Sequence, residues 1–424
     1  MKVSQLQQHY DLAIIGGGMV GASFALALAQ MQKRSSRKIT ILVIESKMQS
    51  QITDESADFD ARTTALSYGS KKIYQRLGLW GELLAAVVPI KKIHVSDRGH
   101  FGATRIDAES LAVDALGYVA ENRQIGKVLH QALEDSAVIE FLCPAKITRI
   151  NPQASGMELL ISSSDGSNSQ QISADLVVLA DGGKSALCEQ LGIANAVTEY
   201  EQTALITNIA FSQAHDNVAY ERFTDSGPLA VLPLATVQNE HRGALIWTLP
   251  QEQAEKVLGL PEKAFLSLLQ QRFGRRLGRI TKAGKRIAYP LSLTVAREQI
   301  RPGLALLGNV AHTLHPVAGQ GLNLALRDAQ ALAEVITAAV ESGQSPGSMA
   351  VLQNFVDQQQ RDQSNTINFS HYITRLFSSN NPTLVWARKS GLFSIDLVPV
   401  IKTAFTRQAM GLMDRKTNSS QLLD

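Results

Sequence analysis

The hydrophobic positions of this chain fall into two alternating patterns. Near-continuous apolar runs at Leu12–Ile15, Ile39–Ile44, Leu176–Ala180 and Leu304–Leu307 predict strands buried on both faces of a parallel sheet. Between them, Met19–Gln30 is rich in Ala and Leu, and Asn122–Glu134 spaces Ile125, Val128, Leu129 and Leu133 with helical period. Helices are also predicted at Pro261–Arg272 and Leu322–Glu341, and two more helical stretches close the chain. Alternation across Lys91–Gly99 and Ala103–Asp107 predicts a hairpin turning at Asp97–Gly99. Further strands are predicted at Ile139–Ile150, Met157–Ser162, Ala204–Phe211, Ala219–Phe223, Leu229–Leu234, Gly243–Leu249 and Ile287–Val295. Ser46–Asp60 is a polar surface loop in this reading, and Ser163–Gln171 is a polar turn between strands.

The order of these elements sets the architecture. Strands of a doubly wound unit occur at the start, near residue 176 and again near residue 304, with a β-rich stretch inserted before the last. The fold class is α/β: a Rossmann-like domain from residues 1–85, 108–185 and 298–350, a β-rich domain from 86–107 and 186–297, and a helical C-terminus over 351–424.

The first strand runs into Gly16, Gly18 and Gly21 at G-x-G-x-x-G spacing, and the second ends at Glu45. Gly16 serves the tight turn, Gly18 lets backbone approach a pyrophosphate, and Gly21 lets the helix pack on the strand. The helix start offers free N–H groups and a positive dipole end to phosphates. Glu45 stands where a ribose hydroxyl belongs, and an acid there repels a 2′-phosphate. This arrangement implies a dinucleotide site that disfavours NADP. A secretory leader does not fit, because Asp11 and the glycines interrupt the apolar stretch and Lys2 is the one early cation.

Composition narrows the classes. The chain has 424 residues, enough for two or three packed units, and a net charge of +3, too small to argue for nucleic acid. Cys143 and Cys188 alone make no disulfide framework and fit a reducing, cytoplasmic compartment. No apolar stretch approaches the roughly 18 residues of a membrane span. No Cys or His falls at metal-ligand spacing, so no metal is expected.

Three motifs together carry a resemblance. They are Gly16–Gly21, then Asp181-Gly182-Gly183-Lys184-Ser185, then Gly308-Asn309-Val310-Ala311-His312 with Pro316, Gly319, Gly321 and Asn323. The chain resembles the flavoprotein aromatic hydroxylases, class A monooxygenases of the p-hydroxybenzoate hydroxylase type. Phe59–Ser67, His94–His100, Glu221–Thr224, Gly227–Ala230, Ala283–Arg286 and Tyr289–Leu291 are similar to the ring hydroxylases of ubiquinone biosynthesis. The likeness covers nearly the whole chain and weakens after residue 375. It implies FAD as cofactor, NAD(P)H as reductant (NADPH in particular) and O₂ as co-substrate. It also implies a flavin C4a-hydroperoxide, and a substrate such as 2-polyprenyl-6-methoxyphenol, hydroxylated para to its hydroxyl group. Sister enzymes acting at other ring carbons share most of these motifs. A flavin-dependent prenyl reductase and a non-enzymatic prenyl-binding escort share the fold and stay open as alternatives.

The resemblance also implies residue roles. Arg62 and Arg123 lie near the dinucleotide, where a guanidinium suits a pyrophosphate; a surface salt bridge for Arg62 and a solvated helix position for Arg123 stay open. Asp181 bonds the flavin ribityl chain or orients the neighbouring loop, and Asn309 meets the ribityl chain, although the wider family carries Asp where Asn309 stands and Arg where Cys188 stands. Gly319, Gly321, Leu322 and Asn323 place helix-start N–H groups at the reduced flavin's negative charge. His312 and His315 are candidates for acid–base work on the phenol or for fixing the loop by hydrogen bonds. From Arg375 to Asp424, seven Lys/Arg against three Asp give +4, interleaved with apolar residues such as Trp386 and Phe393. That stretch suits contact with a membrane surface or with a ubiquinone-pathway assembly, or packing on the flavin domain.

Overall fold

In the computed structural model the described residues are 6–47, 62–97, 103–163, 166, 168–224, 226–314, 319–378 and 410. The apolar runs form the centre of an eight-stranded sheet. Its order is Ile300–Arg301, Leu304–Leu306, Ser169–Leu179, His9–Ile15, Ile41–Ile44, Ile139–Leu142, with Met157–Ser163 on Ser169–Leu179 and Ala145–Pro152 on Met157–Ser163. The four pairings between Leu304–Leu306 and Ile139–Leu142 are parallel. Parallel strands are covered on both faces, so continuous apolar sequence is what such a sheet requires. Every residue of Ile41–Ile44 is buried.

Helices Met19–Gln32 and Gln320–Glu341 pack together on one face, where Phe24, Leu28, Leu332 and Ile336 join the main core. Helix Met349–Ser378 lies on Gln320–Glu341. A two-point bond fixes that contact: Arg327 Nε donates to Asp362 Oδ2 at 2.6 Å and Nη2 to Oδ1 at 3.2 Å. Arg327→Met, which leaves the half-buried Asp362 carboxylate without its cation, is expected to lower unfolding free energy by roughly 2 kcal/mol in chemical denaturation.

A nine-stranded sheet forms the second layer. It runs His312–Thr313, Ile287–Ala296, Asn195–Phe211, Glu240–Pro250, Gly227–Val237, Val218–Thr224, Lys92–Asp97, Ala103–Asp107, with Ile280–Ala283 on Asn195–Phe211. Its two faces have different partners. Leu205, Leu229, Val231, Leu245 and Trp247 pack against Phe265, Leu269 and Phe273 of helix Glu262–Phe273. The alternate residues turn toward the nucleotide sheet. A three-stranded sheet of Thr63–Ser67, Gly117–Glu121 and Val87–Ile90 completes the described fold.

Several expectations shift. Ser163–Gln171 is not wholly a turn: the strand begins at Ser169 and pairs antiparallel with Met157–Ser163. Its polar start is the solvated end of a long strand, which composition alone does not separate from a loop. Asn195–Phe211 likewise extends nine residues before Ala204 because its first half is exposed and lacks apolar alternation. Ile139–Ile150 is two strands, broken at the cis Cys143–Pro144 bond. Val87–Ile90 joins the three-stranded sheet, not the β-rich sheet. Helix Gln251–Leu258 is additional. One 30-residue helix, Met349–Ser378, stands where the first of two closing helices was expected; the rest of that stretch, apart from Met410, lies outside the described residues, as does most of Ser46–Asp60.

Candidate active site

The glycine loop is held from three sides. Gly16 N–H donates to Ile44 O at 2.8 Å. Glu45 accepts from Gly17 N–H at 2.8 Å and from Lys47 N–H at 2.9 Å. His130, from helix Asn122–Glu134, places Nε2 2.9 Å from Gly17 O. The acid at the end of the second strand therefore also fixes the loop, and His130 is a loop-fixing residue that sequence patterning did not single out.

The glycines differ in what surrounds them. A Cβ on Gly21 would lie 1.9 Å from Gly16 O, so this position serves backbone contact inside the protein. A Cβ on Gly18, Gly182 or Gly321 would meet nothing within 4 Å, and all three glycines line one cavity. Gly18 is the N-cap of Met19–Gln32, with no side-chain cap and no acid in the first turn. This is a cradle that fits the pyrophosphate end of a dinucleotide.

The second and third motifs meet at the same cavity, lined by Ala180, Gly182, Asn309, Leu314, Gly319, Gly321, Leu322 and Asn323 among others. Asn309 is exposed and its side-chain amide bonds to no described residue; its carbonyl accepts from Thr313 Oγ1 at 2.9 Å. Asn323 is the reverse case. Its Nδ2 donates to Ala65 O at 2.9 Å and Gly319 O at 2.6 Å. Its Oδ1 accepts from Ser67 N–H at 2.8 Å and Ser70 Oγ at 2.7 Å. The amide is thus fully used in joining the helix start to Thr63–Ser67.

Other expected site residues lie off the cavity lining. Arg62 is exposed, its guanidinium 5.6 Å from the centre of the Tyr289 ring. Arg123 is 3.4 Å from Glu121. Asp181 accepts from Ser185 Oγ at 2.8 Å, and surrounding protein raises its pKa by desolvation. Cys188 is buried in the core beneath the sheet. His312 points away from the cavity: it is buried with Nε2 3.1 Å from Asp328 Oδ2, itself fully buried. His312 thus lies off the described cavity lining, with its imidazole beside a buried carboxylate of the protein itself. His315 lies outside the described residues. In the C-terminal stretch after Ser378 only Met410 is described; it is buried and lines the cavity.

The cavity measures about 690 Å³ and continues from the glycines onto the free face of the nine-stranded sheet. Strand register lays one row across that face: Thr104, Val95, Glu221, Ala230, Ile246 and Ile206 are successive cross-strand partners, and all line the cavity. A second row is Ile106, Ile93 and Ala219. Glu221 is the one carboxylate in the described lining. Burial pushes it up to about 7.

A family described as FAD binding domain matches residues 9–356. The chain belongs to that family. The ubiquinone hydroxylase UbiL of Rhodospirillum rubrum is 32% identical over 95% of this chain and 90% of its own length. The 3-demethoxyubiquinol 3-hydroxylase of Escherichia coli is 29% identical over 96% and 99%. The p-nitrophenol 4-monooxygenase PnpA of Pseudomonas putida superposes with a TM-score of 0.76 over 97% of this chain and 100% of that one, at 17% identity, a likeness of fold. This flavoprotein is a flavin-dependent monooxygenase of a family in which NAD(P)H is the typical reductant. Among its described residues no helix is long and apolar enough to cross a membrane.

Proposed function

We propose that this flavoprotein is a ring hydroxylase of ubiquinone biosynthesis acting on a polyprenylated phenol, with 2-polyprenyl-6-methoxyphenol converted to 2-polyprenyl-6-methoxy-1,4-benzoquinol. The observation that carries the reading is a continuous cavity with a glycine cradle at one end and rows of apolar side chains at the other. Bound FAD supplies the activation of O₂ by electrons taken from NAD(P)H. The rest falls to the protein. Gly18 and the first turn of Met19–Gln32 would hold the pyrophosphate, Glu45 the ribose, and Asn309 the ribityl chain. The start of Gln320–Glu341, with no acid in its first turn, would stabilise negative charge on the reduced ring system. Val95, Ile93, Ala230 and Ile246 exclude water and give an isoprenoid chain an apolar bed.

One observation favours a second reading. The E. coli relative matches over almost its full length and is named for hydroxylation at carbon 3 of a demethoxyubiquinol. Both readings are tested together. The FAD-loaded protein is given NADPH, air and a short-chain analogue of either substrate, and products are weighed by mass spectrometry. A one-oxygen gain on the prenyl-methoxyphenol, oxidisable to a 1,4-quinone, is the expected result. A gain on the demethoxyubiquinol alone moves the assignment to that ring carbon. NADPH consumption with peroxide and no heavier product from either would overturn both.

A further inference from the structure

Glu221 stands on strand Val218–Thr224, where alternation gives Ala219, Glu221 and Phe223 to the cavity. Its carboxylate has no hydrogen bond or ion pair with any described residue. The neighbours set by register are Val95 on one side and Ala230 on the other. A carboxyl enclosed by apolar groups and bonded to nothing costs stability and supports no neighbouring element. Its chemistry is therefore directed at what enters the cavity.

We propose that Glu221 is the catalytic base that accepts the phenol hydroxyl of the substrate and takes its proton. The proposal rests on the phenol-hydroxylase reading above. The O–H bond breaks with its electron pair left on the phenol oxygen, and the proton passes to a Glu221 carboxylate oxygen. The ring gains electron density at its ortho and para carbons, where hydroxylation occurs. When the hydroxylated ring regains aromaticity the carboxyl returns the proton to the same oxygen, so the quinol leaves with both hydroxyl groups and Glu221 is again the carboxylate.

The electrostatics agree with that role. A general base works best when its own proton affinity lies near the working pH, and burial alone brings Glu221 there. The groups facing it from Lys92–Asp97, Ala103–Asp107, Gly227–Val237 and Glu240–Pro250 are Val95, Thr104, Ala230 and Ile246, none of them charged. Phe223 shares the face of Glu221, and Tyr220 reaches the cavity edge while its ring packs on Phe273. The charged groups His94 and Arg222 lie off the lining: His94 packs on Tyr220 and Arg222 approaches Gly274. Because the carboxyl is raised, it is protonated below about pH 7 and becomes a base above it.

The test compares wild type with Glu221→Gln and Glu221→Asp as FAD-loaded proteins. Wild-type kcat/KM for the prenylated phenol should rise with pH through about 7. Glu221→Gln should lose roughly 10²–10⁴-fold in kcat/KM and lose that limb of the profile, with flavin content unchanged. Glu221→Asp should keep the limb at reduced rate. A measurement on wild type alone guards against a variant that does not fold: the phenol should outcompete its methyl ether, which has no proton to give, more strongly above pH 7 than below. Wild-type hydroxylation with an unaltered Glu221→Gln profile, or a pH-independent preference over the ether, overturns the base assignment and leaves the function standing. A wild type that hydroxylates no prenylated phenol overturns both.

Discussion

A Gly18→Asp variant is expected to fold normally and to purify without its yellow colour, while Gly21→Val loses both flavin and fold. The two glycines sit in one motif but answer to different neighbours. At Gly18 the backbone is extended, with φ −69° and ψ −171°, and a side chain would meet no protein atom within 4 Å. Aspartate is also a favourable N-cap, and here the helix has no side-chain cap, so the apoprotein should melt at the same temperature or slightly higher. The same carboxylate occupies the place of the pyrophosphate. Two like charges about 4 Å apart at an effective dielectric near 20 repel by about 4 kcal/mol, roughly a thousand-fold in affinity. At Gly21 the obstacle is the Gly16 carbonyl, 1.9 Å from the added carbon. Backbone cannot rotate away as a side chain does, and the helix must lift from the strand at a cost of at least about 3 kcal/mol. Flavin absorbance and thermal unfolding, measured on both variants, separate the effects. Full flavin content in Gly18→Asp would remove the dinucleotide from this cradle.

The nucleotide sheet was legible in the sequence because its physics is local. A strand buried on both faces must be apolar throughout, and Ile41–Ile44 has no other way to be written. The free face of the β-rich sheet was legible in its alternation but not in its consequence. That Glu221 lands beside Val95 depends on a parallel pairing between Val218–Thr224 and Lys92–Asp97, far earlier in the chain, and no local pattern encodes that register; Ala230 and Ile246 follow from the two successive hairpins. The one hint was an acid at an inward position of an otherwise apolar alternation, Ala219 to Phe223. His130 was hidden for the same reason: its helix was predicted correctly, but its partner is Gly17 O, 113 residues earlier. The three-stranded sheet escaped notice because its strands are four or five residues long and two of them are only half-buried. His312 left two roles open in the sequence, acid–base work or support of the loop, and its neighbour across the fold, the buried Asp328, is one that no local pattern reveals.

Asn323→Leu is expected to be the most damaging side-chain change in the cofactor loop, and to act without touching the flavin. The asparagine amide has two donors and one acceptor oxygen, and all are occupied: Ala65 O and Gly319 O receive, while Ser67 N–H and Ser70 Oγ donate. Leucine has nearly the same volume, so little cavity strain enters. It removes a partner from two carbonyls and the Ser67 N–H at a site where Asn323 is 2% exposed, while the Ser70 hydroxyl keeps Ser67 Oγ at 3.2 Å. At about 1 kcal/mol for each of those three groups the loss approaches 3 kcal/mol, a large share of the 5–15 kcal/mol typical of a folded domain. The loss should appear in the apoprotein, because all four partners belong to the chain itself. Flavin affinity should fall as well, since the same bonds anchor Gly319 at the start of the helix whose N–H groups face the cavity. Asn309, whose amide bonds to no described residue, provides the contrast: Asn309→Leu should leave apoprotein stability within about 0.5 kcal/mol and weaken flavin binding alone. Denaturant titrations of both variants with and without FAD read the difference. Equal apoprotein stabilities for Asn323→Leu and wild type would mean that the amide serves the cofactor and not the frame around it.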